Sequence, residues 1–179
     1  SEMCIRDRTK TFRNWYSSKG YMGYSTIRDG IVYSMNIVAV RCMMETVTPQ
    51  LGVEYARNFG ITSMTDTDYN AATALGGITK GVSNLELTAA YATIANQGIY
   101  TKPRFFTQIL DHNGKVLLDN TPETKRVLKD STAFLLTDAM SQSMESSRMY
   151  GSGNLYSTST SANLSNMSNA GKSGTTTSN

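Results

Sequence analysis

The sequence holds one histidine, two cysteines and no long apolar run, and each scarcity removes a class of function. His112, Cys4 and Cys42 lie far apart and give no cluster with metal-ligand spacing, so no metal and no cofactor is expected. Two distant cysteines make no disulfide framework. Cys42 stands among Val38, Val40, Met43 and Met44 and reads as a small buried hydrophobe, with a Cys4–Cys42 bridge as the alternative. His112 lies beside an expected turn and reads as a solvated turn residue. No apolar stretch approaches the roughly 20 residues of a membrane-spanning helix, and no signal peptide is visible. The formal net charge is +3, but no more than two basic residues occur together, so there is no cationic stripe for nucleic acid.

What is present is a chain of 179 residues, 39% hydrophobic and 17% charged, which suits one packed domain and not a disordered segment. Residues 1–10 show no period and are expected to be a leader, possibly foreign, outside the fold; residues 11–179 carry the domain. Residues 11–25 read as a loop packed by its own rings. Thr26 and Asp29 have capping-box spacing ahead of a buried helical stretch that runs to Met44, with a break expected near Ser34. Thr48-Pro49 starts a helix that should reach about Asn58 and stop at Gly60. Residues 61–82 read as irregular. Ser83 and Glu86 form a second capping box before a helix closed by Gly98. Residues 105–118 read as a hairpin turning at Asn113-Gly114, with positive φ allowed at both turn positions. Asp130 or Ser131 is the expected cap of a last helix, whose apolar stripe would be Phe134, Leu135, Leu136, Met140 and Met144.

From Gly151 the composition changes: 22 of the last 29 residues are Ser, Thr, Asn or Gly. Such a stretch reads as a linker, and 151–169 is expected to be the least ordered internal region for want of apolar anchors. The final part reads differently. Lys172 is the sole charged residue there, set between small neighbours in Ala170-Gly-Lys-Ser-Gly-Thr175, an arrangement suited to holding an anion against bare backbone. A phosphate-binding loop is excluded, because its first glycine would fall at Asn166.

Two short motifs carry chemistry: Ser34-Met35-Asn36 and Lys172-Ser173-Gly174-Thr175. Serine acyltransferases and β-lactamases use S-x-x-K, S-x-N and K-[TS]-G, and the last two occur here in that order. Alone the two motifs are weak. Their surroundings add Asn14-Trp15-Tyr16, Gly23-Tyr24, Thr26-Ile-Arg-Asp-Gly30, Ala74-Leu-Gly-Gly77, residues 81–98, Pro103 and Asp111-His-Asn-Gly-Lys115. In order and spacing, roughly residues 11–176 resemble the transpeptidase domain of bifunctional (class A) penicillin-binding proteins.

That resemblance implies an α+β fold, an antiparallel sheet packed with helices, with Ser34 on the helical side and Lys172 on an edge strand. It implies D,D-transpeptidation of peptidoglycan stem peptides through a serine acyl-enzyme that β-lactams also form. Ser34 would be a proton relay. Lys172 would stand beside it, within hydrogen-bonding range, and lend positive charge. Asn36 would bond the substrate amide carbonyl, and Ser173 and Thr175 would hold its carboxylate. Thr175 N–H would be half of the oxyanion hole, and Gly174 would keep the strand bare. It also implies an extracytoplasmic location, a membrane anchor elsewhere and a cell-wall synthesis complex. One departure is plain: none of the eight lysines has Ser or Thr three residues earlier, so S-x-x-K is absent. The chain is therefore expected to be a fragment, truncated at both ends and inactive by itself. A non-catalytic penicillin-binding relative is the alternative.

Overall fold

The computed structural model describes residues 6–7, 10–20, 22–149 and 154–175. Five α-helices dominate: α1 Ile27–Val32, α2 Asn36–Arg41, α3 Pro49–Asn58, α4 Asn84–Ala95 and α5 Asp130–Met144. Among the described residues eight short strands form four antiparallel pairs. β1 Arg6–Asp7 pairs with β2 Lys10–Thr11, and β3 Ile99–Thr101 with β6 Thr124–Arg126. β4 Gln108–Leu110 pairs with β5 Val116–Asp119, and β7 Arg148–Met149 with β8 Leu155–Tyr156. The α+β class is as expected.

The helix starts follow their local chemistry. Thr26 N–H donates to Asp29 Oδ2 at 2.8 Å and Asp29 N–H donates to Thr26 Oγ1 at 3.1 Å, a reciprocal cap on α1. Ser83 and Glu86 do the same for α4. Thr48 Oγ1 accepts from Leu51 N–H and Pro49 opens α3, which ends at Asn58 as its spacing predicts. α2 has no cap from its own N-terminal neighbour. Its Ile37 N–H donates instead to the buried side chain of Asn14 at 2.9 Å, a cap brought by tertiary structure.

The core lies under the α1–α2 break. Tyr16, Met22, Val32, Tyr33, Met35 and Leu155 form one buried cluster. α5 packs on α1 and α4. An ion pair from Arg28 to Asp138, at 2.6 Å, and a hydrogen bond from Arg28 to Gln142, at 3.3 Å, cross the α1–α5 interface. Residues 61–82 are irregular apart from two short 3-10 turns, Asp66–Asp68 and Ala71–Leu75. Asp68 is fully buried, and its carboxylate accepts from Thr65 N–H, Thr65 Oγ1, Thr79 N–H and Thr79 Oγ1. Those donors hold its pKa far below the ordinary carboxylate range.

Several expectations need correction. Lys129, not Asp130 or Ser131, is the α5 N-cap, and it makes no side-chain bond. The α5 stripe is displaced: Phe134 and Leu135 are exposed, while Ala133, Ala139, Met140 and Met144 are buried. Alanines on that face allow the close approach of α1 and α4, which a side chain the size of Phe would prevent. In the hairpin only Gly114 has positive φ. The turn runs over more than two residues and is closed by Asp111, whose carboxylate accepts from Asn113 N–H and Lys115 N–H. Residues 171–175 join no sheet among the described residues, so no described strand carries Lys172. Of the segment expected to lack anchors, Gly151–Gly153 lie outside the described residues. Residues 154–159 are anchored, because Leu155 is fully buried in the core and Ser157 and Ser159 are buried too, whereas 160–168 are exposed. Cys4, and with it the bridge to Cys42, lies outside the described residues, as do most of the side chains of the expected leader; Cys42 is half-buried and free.

Candidate active site

The break between α1 and α2 presents Ser34. Helix α1 ends in a Schellman-type turn: Met35 N–H donates to Gly30 O at 2.9 Å and Ser34 N–H to Ile31 O at 3.4 Å. That turn needs one residue in the left-handed region, usually glycine. Ser34 occupies it, with φ +53°. A non-glycine residue there is strained by about 1 kcal/mol or more. The strained turn lifts the hydroxyl out of the helix line and aims it into a cleft.

The cleft has a volume of about 880 Å³. One wall carries Trp15, Ser34, Met35, Asn36 and Ala39. The other carries Tyr156, Ser157, Thr158 and residues 172–175, with Ala74 and Leu75 between them. The walls meet at the Lys172 ammonium, which donates to Ser34 Oγ at 2.7 Å across 138 residues of sequence. It also donates to Ser173 O at 2.8 Å. No carboxylate lines the cleft, and Lys172 forms no ion pair among the described residues. Half-buried without a counter-charge, the ammonium loses hydration, and its pKa is pushed down. The site thus couples an anion-attracting field to an amine that shares protons readily.

The remaining predicted residues fall into place around this pair. Asn36 Nδ2 donates to Arg13 O at 3.0 Å. An amide carries two N–H donors, so that bond leaves one for another acceptor. Ser173 Oγ donates to Thr158 Oγ1 at 2.8 Å, and Ser173 N–H donates to Ser159 Oγ at 3.1 Å. Gly174 has no atom within 4 Å of where a Cβ would stand, so the face beside it is open. Thr175 lies at the cleft mouth, exposed.

Several lining residues were not read from the sequence. Trp15 Nε1–H donates to Tyr33 O at 3.0 Å, fixing the residue before Ser34. Thr158 N–H donates to Val32 O at 3.3 Å and joins the second wall to the first. Tyr156, Ser157, Thr158 and Ser159 sit in the Ser/Thr-rich tail, where composition hides any pattern. The one available signal was Leu155-Tyr156, an apolar pair inside an otherwise polar run.

A hydroxyl on a helix break and a lysine from a distant segment thus meet in one cleft that has no carboxylate among its described lining residues. The sequence matches the family described as penicillin binding protein transpeptidase domain over residues 4–179, and the chain belongs to that family. It is 33% identical over 156 residues to penicillin-binding protein 1A of Clostridium botulinum, covering 87% of this chain and 18% of that protein. It is 34% identical over 143 residues to penicillin-binding protein 1F of Bacillus subtilis, covering 77% and 19%. The chain thus spans about a fifth of the length of the curated relatives it matches. The fold matches the D,D-transpeptidase domain of a peptidoglycan glycosyltransferase from Eggerthella lenta with a TM-score of 0.67, covering 98% of this chain and 47% of that one at 19% identity. It also matches penicillin-binding protein 1A from Haemophilus influenzae with a TM-score of 0.62, covering 78% and 25% at 25% identity.

Proposed function

We propose that this chain forms the Ser34–Lys172 side of a serine D,D-transpeptidase site that cross-links peptidoglycan stem peptides. The observation that carries the reading is the 2.7 Å bond from the Lys172 ammonium to Ser34 Oγ, made across a cleft without a carboxylate. A stem peptide ends in a carboxylate, and a cationic, acid-free cleft favours it.

In this reading the nucleophile is a serine of an S-x-x-K motif outside these 179 residues. It attacks the carbonyl carbon of the penultimate D-alanine as its own proton passes to the lysine of that motif, and the bond to the terminal D-alanine breaks. The leaving amine takes its proton through the Ser34 hydroxyl, which Lys172 resupplies. The amine of a second stem then displaces the serine and forms the cross-link. A serine hydroxyl is a weak nucleophile until a neighbouring base takes its proton, so such a relay is needed in both half-reactions. Asn36 bonds the substrate amide, Ser173 and Thr175 hold the carboxylate, and Thr175 N–H stabilises the oxyanion. Ser173 has to turn its hydroxyl from Thr158 to do so. Gly174 leaves room for an extended peptide beside it. β-Lactams acylate the same serine. The substrate places the domain on the extracytoplasmic face of the membrane. In this reading it acts there within a longer, anchored protein of a cell-wall synthesis complex; no described helix is itself long and apolar enough to cross a membrane.

The test is fluorescent-penicillin labelling of the longer gene product, alongside this chain alone. The longer product should label and this chain should not. A longer product that never labels, with its fold intact, replaces this reading by a non-catalytic relative of the same fold.

A further inference from the structure

The backbone on both sides of Lys172 is held from behind the cleft by one residue of α5. Ser143 is fully buried, and its hydroxyl lies 2.6 Å from Gly171 O and 2.8 Å from Met140 O, both acceptors. Gly171 N–H donates to Met140 O at 3.3 Å, so both peptide groups of Gly171 meet the last turns of α5. Ser143 O accepts from Ser159 N–H at 3.2 Å, and Ser159 Oγ accepts from Ser173 N–H at 3.1 Å. Ser143 therefore reaches residue 171 directly and residue 173 through Ser159. Lys172 lies between the two fixed points.

The same helix holds the opposite wall. Arg28, on α1, bonds Asp138 and Gln142, and α1 ends at the turn that presents Ser34. Both partners of the hydroxyl–ammonium bond are thus referenced to one rigid element. Of the two attachments, the Arg28 pair is exposed and weak in water, whereas the Ser143 hydroxyl is fully buried and is not easily satisfied by solvent.

We infer that Ser143 is a positioning residue: it sets where Lys172 stands relative to Ser34 without touching substrate. Its catalytic consequence rests on the transpeptidase reading, but its structural consequence does not. A side chain with no hydroxyl leaves the half-buried Gly171 O without its donor and frees the segment to drift from Ser34. Met144 adds a steric limit, since a Cβ at Gly171 would stand 3.2 Å from its sulfur.

The test uses the longer gene product carrying Ser143→Ala, with Ser143→Cys as a graded variant that keeps a weak donor. Amide hydrogen exchange of the 170–174 peptide and of the β4–β5 hairpin is read together with the rate of labelling by fluorescent penicillin. Loss of the Ser143–Gly171 hydrogen bond should speed exchange at 170–174 by about tenfold. The hairpin should be unchanged, labelling should slow by about the same factor, and the cysteine variant should lie between. Unchanged exchange at 170–174 overturns the inference. So does faster exchange at both places, which marks general destabilisation, or faster exchange at 170–174 with labelling at the wild-type rate. If Ser143→Ala does not fold, Ser159→Ala cuts the second tie without altering α5 and is held to the same outcomes. If the wild-type product does not label at all, the transpeptidase reading falls. The inference is then decided by exchange at 170–174 alone.

Discussion

The two walls of the cleft are built in opposite ways. The wall bearing Ser34 is held by apolar burial: Val32, Tyr33 and Met35 sink into the core on either side of the turn, and capped helices lead in and out. The wall bearing Lys172 is held by hydrogen bonds, hydroxyl to backbone and hydroxyl to hydroxyl, through Ser143, Ser157, Thr158 and Ser159. Leu155 is its one fully buried apolar anchor among the described residues. Apolar burial tolerates small shifts, whereas a hydrogen-bond lattice fixes distances to tenths of an ångström. An amine that must meet a hydroxyl at bonding distance is better held by the second kind.

The comparison can be broken at its meeting point first. Lys172→Ala should slow penicillin labelling of the longer gene product by about 10²–10⁴, the range of a general acid or base, while the thermal midpoint changes little. A fall of less than threefold removes Lys172 from the chemistry. Leu155→Ala tests how far the hydrogen-bonded wall depends on one apolar residue. It should cost about 2–5 kcal/mol by denaturant titration, as for other buried leucines. If it does not, hydrogen bonds alone hold that wall.

A third substitution separates backbone from side chain on the apolar wall. Ser34→Ala and Ser34→Gly both remove the hydroxyl and should both slow labelling. At a φ of +53°, glycine should leave the protein more stable than alanine by about 1 kcal/mol. Equal stability would show that the turn relaxes. The smallest effect lies far from both walls. Glu86 accepts from Thr62 N–H and Oγ1 and from Ser83 N–H and Oγ, which hold its pKa down to about 2. A depressed carboxylate contributes stability above its unfolded pKa and loses it as pH falls. The thermal midpoint should therefore drop between about pH 4.5 and pH 2. Glu86→Gln should flatten that part of the profile and leave the loss due to Asp68, which begins below about pH 4.

The same contrast explains what was legible in the sequence. Capping boxes at Thr26 and Ser83, the Thr48-Pro49 start and the Asn113-Gly114 hairpin are local signals, and each marks a real element. A break near Ser34 is expected within the apolar helical stretch, and the helices do part there. The meeting of Ser34 with Lys172 followed from the resemblance. Residues 154–159 were illegible, because their order comes from partners in α1 and α5 and from no periodicity of their own. The α5 stripe was misplaced for a related reason. Which face of that helix turns inward is set by α1 and α4, so alanines were buried and phenylalanine was left outside. The resemblance implies an edge strand at Lys172, yet no described strand pairs with it.

The left-handed turn that ends α1 has a further effect, on tolerance to insertion and deletion. A hydroxyl delivered by a helix terminator inherits the helix's phase. One residue added to or removed from α1 rotates everything after it by about 100° and shifts it by about 1.5 Å. Between Thr26 and Asn36 the reading length is therefore fixed to the residue, as in a key whose teeth are cut by counting. The hairpin at 111–115, facing solvent, can lengthen with no such consequence.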